Sequence, residues 1–61
     1  NKLDEQVLHV LRESGPLTLV EIAEKLDKKP KAVFSSLRRL FENSDIDCDH
    51  KTRQYSIANK E

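Results

Sequence analysis

The sequence lacks most of what catalytic, membrane-spanning or disulfide-stapled proteins need. Its 61 residues suffice for one small domain with a thin core and leave no room for an enzyme-sized substrate cavity. Its single cysteine, Cys48, cannot form an internal disulfide, which favours a reducing compartment. No apolar run approaches the roughly 20 residues of a membrane helix, and no signal peptide is visible. We therefore expect an intracellular protein of the cytoplasm, nucleoid or nucleus, without a membrane partner.

Methionine is absent and glycine occurs once. Because the chain begins at Asn1 and contains no Met, we expect it to be a piece that was processed or excised from a longer protein. Apolar and charged residues each make up 36% of the chain, as in a soluble, helix-rich globular domain. The 11 basic and 11 acidic residues leave no net charge, which argues against strong non-specific binding to nucleic acid.

The first half of the chain shows the apolar spacing of two helices. Residues 2–14 are predicted to form an amphipathic helix, and Gly15 suits a left-handed cap at its end. After a short extended link, a second helix is predicted at about residues 19–26. Thr18 and Glu21 form a capping box at its start, in which a hydroxyl and a carboxylate each accept a backbone amide.

The second half is predicted to contain one more helix and a hairpin. A third helix, at about residues 30–42, opens at Pro30, which suits a first turn. Its buried stripe is predicted to consist of Val33, Leu37, Leu40 and Phe41. From about residue 45 the apolar period changes from 3.6 to 2, which predicts a two-stranded β-hairpin over residues 45–58. The inward face of this hairpin comprises Ile46, Cys48, Tyr55 and Ile57. The predicted class is therefore α+β and mostly helical.

Residues 17–40 carry the pattern Ile22-Ala23-x-x-Leu26 followed by Pro30-x-x-Val33-x-x-x-Leu37-x-x-Leu40. This pattern resembles the winged helix-turn-helix superfamily, with Tyr55-Ser56-Ile57 as the returning strand of the wing. The resemblance implies a single winged-helix domain over residues 1–61, of the small prokaryotic DNA-binding type, with the third helix as recognition helix. Members of the superfamily also include modules that bind only other proteins. Two residues depart from the pattern. Asp27 stands in the turn where such motifs often have Gly, and Lys29 stands at the helix cap where they often have Ser or Thr.

The residues of one subfamily, the Z-DNA-binding winged helices, are not matched. That subfamily uses a Lys, an Asn and a Tyr on the third helix and a Pro and a Trp in the wing. Here Phe34 stands at the Asn position and Arg38 at the Tyr position, and the wing has neither Pro nor Trp. We therefore do not expect recognition of Z-form DNA.

A run of basic residues surrounds the start of the third helix and continues along it. Between residues 28 and 41 no acid interrupts Lys28, Lys29, Lys31, Arg38 and Arg39. Cations at a helix start are unfavourable unless an anion such as phosphate lies between them. At 100° per residue, the outward ridge of the helix comprises Lys31, Ser35, Arg38 and Glu42. Arg38 can contact a guanine edge with two hydrogen bonds, and Ser35 can donate or accept one.

The predicted wing combines charges of both signs. Lys51 and Arg53 near its tip are expected to reach phosphates or a minor groove. Asp45, Asp47 and Asp49 share the outer face of its first strand and would repel DNA if they faced it. They either orient the domain, mark a protein-facing surface, or simply form a solvated edge that discourages strand pairing.

Two apolar residues at helix edges are candidates for a partner interface. Phe34 is expected to complete the core against the second helix; the alternative is an exposed ring that meets thymine methyl groups or a partner protein. Leu8 lies similarly at the edge of the first helix, which favours homodimer formation weakly.

The sequence contains no complete pattern of residues for catalysis or metal binding. The spacing of Asp45, Asp47 and Asp49 is that of the start of a calcium loop, but His50 replaces the Gly that the loop needs. Cys48 and His50 supply two candidate metal ligands without a second pair. No arrangement of nucleophile, base and acid can be assembled. We predict no enzyme activity, no metal, no cofactor and no small-molecule substrate.

Two function classes follow from these residues. The first is sequence-dependent binding of duplex DNA through the third helix and the wing, as a transcription regulator or a module of a replication or other nucleic-acid protein. The alternative is a protein-interaction winged helix within a larger assembly. The basic run favours the first, and a lysine-rich turn that is merely solvated is the plainest competing interpretation. Partners would be duplex DNA and either a second copy or the other domains of a parent protein.

Overall fold

The computed structural model describes residues 1–58 of the chain. The elements, in chain order, are helix α1 (Lys2–Ser14), strand β1 (Leu17–Thr18), helices α2 (Leu19–Leu26) and α3 (Pro30–Glu42), and strands β2 (Ile46–Asp49) and β3 (Gln54–Ile57). The three helices have the bounds that the sequence predicts, and both later strands lie within the predicted wing. The last three residues of the predicted domain, 59–61, lie outside the described residues.

Local hydrogen bonds explain where α1 and α2 begin. The Asn1 side chain accepts a hydrogen bond from the Leu3 amide at 3.0 Å. At α2 the Glu21 amide donates to the Thr18 hydroxyl at 3.3 Å, and the Thr18 amide donates to the Glu21 carboxylate at 2.9 Å. This reciprocal pair is the predicted capping box. The Thr18 amide and hydroxyl also lower the pKa of Glu21, because they stabilise its charged form.

Replacing Thr18 by alanine should lower the free energy of unfolding by about 1 kcal/mol, the usual result of losing an N-cap side chain. The Thr18→Ser variant keeps a hydroxyl for the Glu21 amide and should stay close to the parent. Urea unfolding followed by far-ultraviolet circular dichroism measures both variants. Equal stability of the alanine and serine variants would contradict the capping role.

The end of α1 differs in detail from the prediction. Gly15 has the positive φ of 78° that a left-handed cap requires, but its ψ of −158° is extended rather than helical. This backbone region is nearly restricted to glycine. The Gly15 amide donates to the Leu11 carbonyl at 2.9 Å. The chain therefore leaves α1 in an extended direction and enters β1 directly.

β1, predicted only as an extended link, is a third strand of the sheet. The strand order is β1-β3-β2, and both neighbouring pairs are antiparallel. Leu17 lies opposite Tyr55, and Ile46 lies opposite Ile57. Since Leu17 is buried, β1 has an inward side chain, which a two-residue segment is too short to show by periodicity. The predicted two-stranded wing is thus extended by one short strand.

The core lies where the three helices meet the inner face of the sheet. Its buried apolar side chains are Val7, Leu11, Leu17, Ile22, Ala23, Val33, Leu37, Leu40 and Ile46. Tyr55 and Ile57 pack against this cluster from β3. Among residues 1–58, no helix combines the length and apolarity that crossing a membrane requires. The observed architecture is mostly helical α+β, as predicted.

Two aromatic side chains of α3 are not where the sequence predicts them. Phe41, assigned to the buried stripe, is 52% exposed, and Phe34, expected to complete the core, is 49% exposed. The prediction for Phe41 is wrong, and for Phe34 the exposed alternative holds instead of burial in the core. With 3.6 residues per turn, both rings lie roughly 90° around the helix from the centre of the buried side. That centre is formed by Val33, Leu37 and Leu40.

Candidate nucleic-acid interface

The outward ridge of α3 has the composition that the sequence predicts. Lys31, Ser35, Arg38 and Glu42 are all exposed. The Ser35 hydroxyl donates a hydrogen bond to the Lys31 carbonyl of the same helix at 3.3 Å. Its oxygen can still accept a hydrogen bond from another donor. Among residues 1–58, the basic and acidic side chains that lie within 4.0 Å of each other are Arg39 with Asp4 and His9 with Glu13, and neither pair involves the ridge. Lys31 and Arg38 therefore present their charges to solvent.

The turn that precedes α3 adds two exposed lysines, Lys28 and Lys29. Asp27, at the position where glycine is common, adopts the left-handed conformation with φ 54° and ψ 46°. Lys29 occupies the N-cap without a side-chain hydrogen bond, and the first turn of α3 contains no acid. The positive end of the helix dipole and the positive charges of the lysines therefore lie together at the N-terminus of α3. This combination favours binding of an anion there.

Arg39 was predicted to bind DNA, but the structure pairs it with α1. Its Nε donates to Asp4 Oδ2 at 3.2 Å, and its Nη2 donates to Asp4 Oδ1 at 2.9 Å. The buried Ser36 hydroxyl donates to the same Oδ1. We name Asp4, Ser36 and Arg39 the α1–α3 clamp. Arg39 thus lies on the flank of α3 that faces α1, away from the ridge.

The clamp changes the titration of both charged members. The hydrogen bonds from Arg39 lower the pKa of Asp4 most, and the Ser36 hydroxyl lowers it further, against an opposing effect of burial. The carboxylate in turn raises the pKa of Arg39. No periodicity signals this contact, because Asp4 and Arg39 lie 35 positions apart.

The wing tip holds the two predicted cations in a well-defined turn. Lys51 and Arg53 are exposed. The Asp49 carboxylate accepts hydrogen bonds from the Lys51 amide at 2.9 Å and the Thr52 amide at 3.4 Å. The Asp49 backbone carbonyl accepts a hydrogen bond from the Arg53 amide at 2.6 Å. Arg53 has a positive φ of 60°, which closes the turn. Asp49 therefore shapes the turn through its hydrogen bonds, while its side chain remains exposed.

Two acids of the wing, Asp47 and Asp49, lie on the side of the sheet away from the helices, whereas Asp45 precedes β2 and is partly buried. In β2 the side chains alternate, and Ile46 is buried while Asp47 and Asp49 are exposed. Asp47 pairs with Ser56 and Asp49 with Gln54, which places these polar side chains on one face. Asp47 and Asp49 therefore form an acidic patch on the outer face of the sheet.

An apolar groove separates α3 from the wing. It has a volume of about 310 Å³ and is lined by Phe34, Leu37, Arg38, Phe41, Cys48, His50 and Tyr55. Burial raises the pKa of Tyr55, and its neighbour Cys48 adds to this shift. A second groove shares Phe34 and Tyr55 with the first and is also lined by Val20 and Arg53. The sequence indicates this surface only in part: an exposed Phe34 is one of its two interpretations, whereas Phe41 is predicted to be buried.

The remaining candidate residues have more ordinary surroundings. Leu8 is half-buried and packs against the core, which accounts for part of its apolar surface. Cys48 and His50 both line the apolar groove. In the part of the chain that the structure describes, no group of three or more His, Cys, Asp or Glu side chains could hold a metal ion.

No family model and no curated protein matches this chain. A crystal structure of an IclR transcriptional regulator from Alicyclobacillus acidocaldarius is similar, with a TM-score of 0.89 and 30% sequence identity. The match covers 95% of this chain and 24% of that regulator, so the chain spans about a quarter of the regulator's length. The predicted fold is thereby confirmed: the chain is a winged helix, with α2 and α3 as its helix-turn-helix and β2 and β3 as its wing.

Proposed function

We propose that the chain is a module that binds duplex DNA and serves in transcription regulation. The observation that carries this proposal is the close structural match to a transcriptional regulator, at 30% identity over 95% of the chain. α3 would enter the major groove, as the second helix of a helix-turn-helix does, and the wing would lie on the backbone. Such a module acts inside the cell, and no catalytic role or cofactor is part of this proposal.

The charges of the described residues support this docking. Lys28, Lys29 and Lys31 surround the start of α3, where a phosphate would also receive backbone amides. Lys51 and Arg53 extend the cationic surface at the wing tip. Arg38, on the outward ridge, is the candidate for a guanine edge, because its planar fork matches the two acceptors there. Arg39 is left out of the interface because Asp4 holds it.

Affinity is expected to be modest for the single module. Its 11 basic and 11 acidic residues leave no net charge, so the long-range field adds little to the local cations. A second copy or a tethered domain would raise affinity through effective concentration, without any new contact to DNA. We propose that the module works in such a linked form.

A protein-interaction role is the second candidate, and one observation favours it. Val20, Phe34 and Phe41 are 56%, 49% and 52% exposed, which is a large apolar share for so small a domain. In that role the grooves beside Phe34 would receive a partner, and duplex DNA would not bind at moderate salt.

The salt dependence of duplex binding tests the proposal. Five cations on phosphates predict that log K falls with log salt with a slope of about −4 to −5. The Lys31→Ala variant should flatten this slope by about one unit. Lys2→Ala removes an exposed lysine at the start of α1 and should leave the slope unchanged. Fluorescence anisotropy with a labelled duplex measures all three proteins. A Lys31→Ala slope equal to that of the parent would contradict the proposed interface.

A further inference from the structure

The apolar flank of α3 lies directly beside its basic ridge. Phe34 precedes Arg38 by four positions and follows Lys31 by three, so these side chains are neighbours on the helix surface. The lining of the two grooves beside Phe34 includes Arg38, His50 and Arg53, and no acid. A ligand that fits this surface therefore carries negative charge next to an apolar group.

We propose that Phe34 recognises thymine: its ring packs against the 5-methyl group of a thymine in the major groove, close to the base pair that Arg38 contacts. This inference rests on the proposed function. The thymine methyl is the apolar group that the major groove displays among its hydrogen-bond donors and acceptors. Phosphates on either side of the groove supply the negative charge that the cations around Phe34 require.

Position along α3 distinguishes Phe34 from Phe41. A recognition helix contacts base edges with its N-terminal residues. Phe34 lies in the second turn of α3, whereas Phe41 lies in the last turn. The two rings are almost equally exposed, at 49% and 52%. Phe41 is therefore a matched control: it has the same chemistry and exposure but is expected to lie outside the base contacts.

The spacing of Phe34 and Arg38 fixes the distance between the two bases. Four residues of α-helix advance about 6 Å. Successive base pairs are about 3.4 Å apart along the duplex. The thymine should therefore lie within about two base pairs of the guanine that Arg38 contacts.

Selection from a random duplex pool, followed by removal of single methyl groups, tests this inference. The 61-residue chain is first used to enrich its preferred duplex, which should contain a thymine within about two base pairs of a guanine. Each thymine is then replaced by deoxyuridine, which lacks only the methyl group. One such replacement should weaken binding about fourfold, the loss expected for one buried carbon. Phe34→Ala should bind the thymine and deoxyuridine duplexes equally, and Phe41→Ala should retain the fourfold difference.

The outcomes separate this inference from the proposed function. Enrichment of a duplex whose affinity does not depend on any methyl group would overturn the thymine contact and leave DNA binding intact. Persistence of the methyl effect in Phe34→Ala would also overturn it. The absence of binding to any duplex at low salt would overturn both. A mass that rises with protein concentration, and that Phe34→Ala returns to the monomer, would assign the flank to a second copy and overturn the thymine contact.

Discussion

Replacing Asp4 by alanine should lower the free energy of unfolding by roughly 1–3 kcal/mol, the usual result of leaving a buried polar group without its partner. The Ser36 hydroxyl is fully buried and donates to Asp4, so the variant leaves it without that acceptor. Arg39 loses both of its hydrogen bonds at the same time. A domain of this size has only a few kcal/mol of stability, so a large fraction of the Asp4→Ala molecules should be unfolded at moderate temperature.

Two further variants separate the clamp from general effects on α1. Glu5→Ala removes an exposed acid from the same first turn of α1 and should cost much less, because it loses only the interaction with the helix dipole. Ser36→Ala removes the buried hydroxyl itself, so no buried donor is left without an acceptor. Its loss of stability should therefore be smaller than that of Asp4→Ala. Thermal and urea unfolding measure all three. Asp4→Ala and Glu5→Ala variants of equal stability would show that the clamp contributes nothing.

The clamp also gives stability a defined dependence on pH. The pKa of Asp4 is lower in the folded protein than its ordinary value of 3.8, chiefly because of Arg39. The clamp therefore stabilises the fold fully above the unfolded pKa, and this stabilisation is lost as the pH falls through the folded pKa. The difference in stability between the parent and Asp4→Ala should shrink below pH 4 or so. A difference that stays constant from pH 7 to pH 2 would contradict this account.

Replacing Arg38 by alanine should weaken binding to the preferred duplex about 10- to 100-fold, the range expected for loss of a good two-bond contact to a base. The loss should be concentrated at one base pair, where sequence preference should relax. Arg38 suits this role because it is exposed on the ridge and none of the ion pairs within residues 1–58 involves it. Competition binding against duplexes with single base-pair changes measures the effect.

Arg38→Lys and Arg12→Ala provide the controls for this prediction. Lysine keeps the charge but lacks the planar fork, so Arg38→Lys should keep the salt dependence and lose most of the base preference. Arg12 is an exposed arginine at the end of α1, and its removal should change neither property. If Arg38→Ala lowers affinity equally for every sequence, Arg38 contacts phosphate rather than a base.

The features that the sequence predicts are those that depend on neighbours along the chain. The capping box of Thr18 and Glu21 is a contact across three positions, and it marks the start of α2 correctly. Pro30 marks the start of α3 because its missing amide costs nothing there. The change of apolar period near Ile46 places the wing. Helix and strand periods are local properties, so these elements can be read without the tertiary structure.

The features that the sequence does not predict depend on contacts between distant elements. Arg39 has the same charge as Arg38, yet Asp4 binds it from another helix. Phe34 and Phe41 lie at the edge of the apolar stripe, where burial depends on how closely the wing approaches, and the wing leaves a groove there. β1 contains two residues, and its strand character comes from pairing with β3. In each case the pairing, exposure or strand character of a residue depends on a distant segment of the chain. A local sequence pattern carries no information about that segment.

An NMR amide titration with a short mixed-sequence duplex, at low and then at physiological salt, tests the central claim most directly. DNA binding through α3 and the wing predicts shifts at residues 28–38 and 51–53 that weaken as salt rises, while the exposed side of α1 around His9 and Glu13 stays unchanged. The absence of shifts even at low salt, or shifts confined to α1 and the acidic face of the wing, would contradict it.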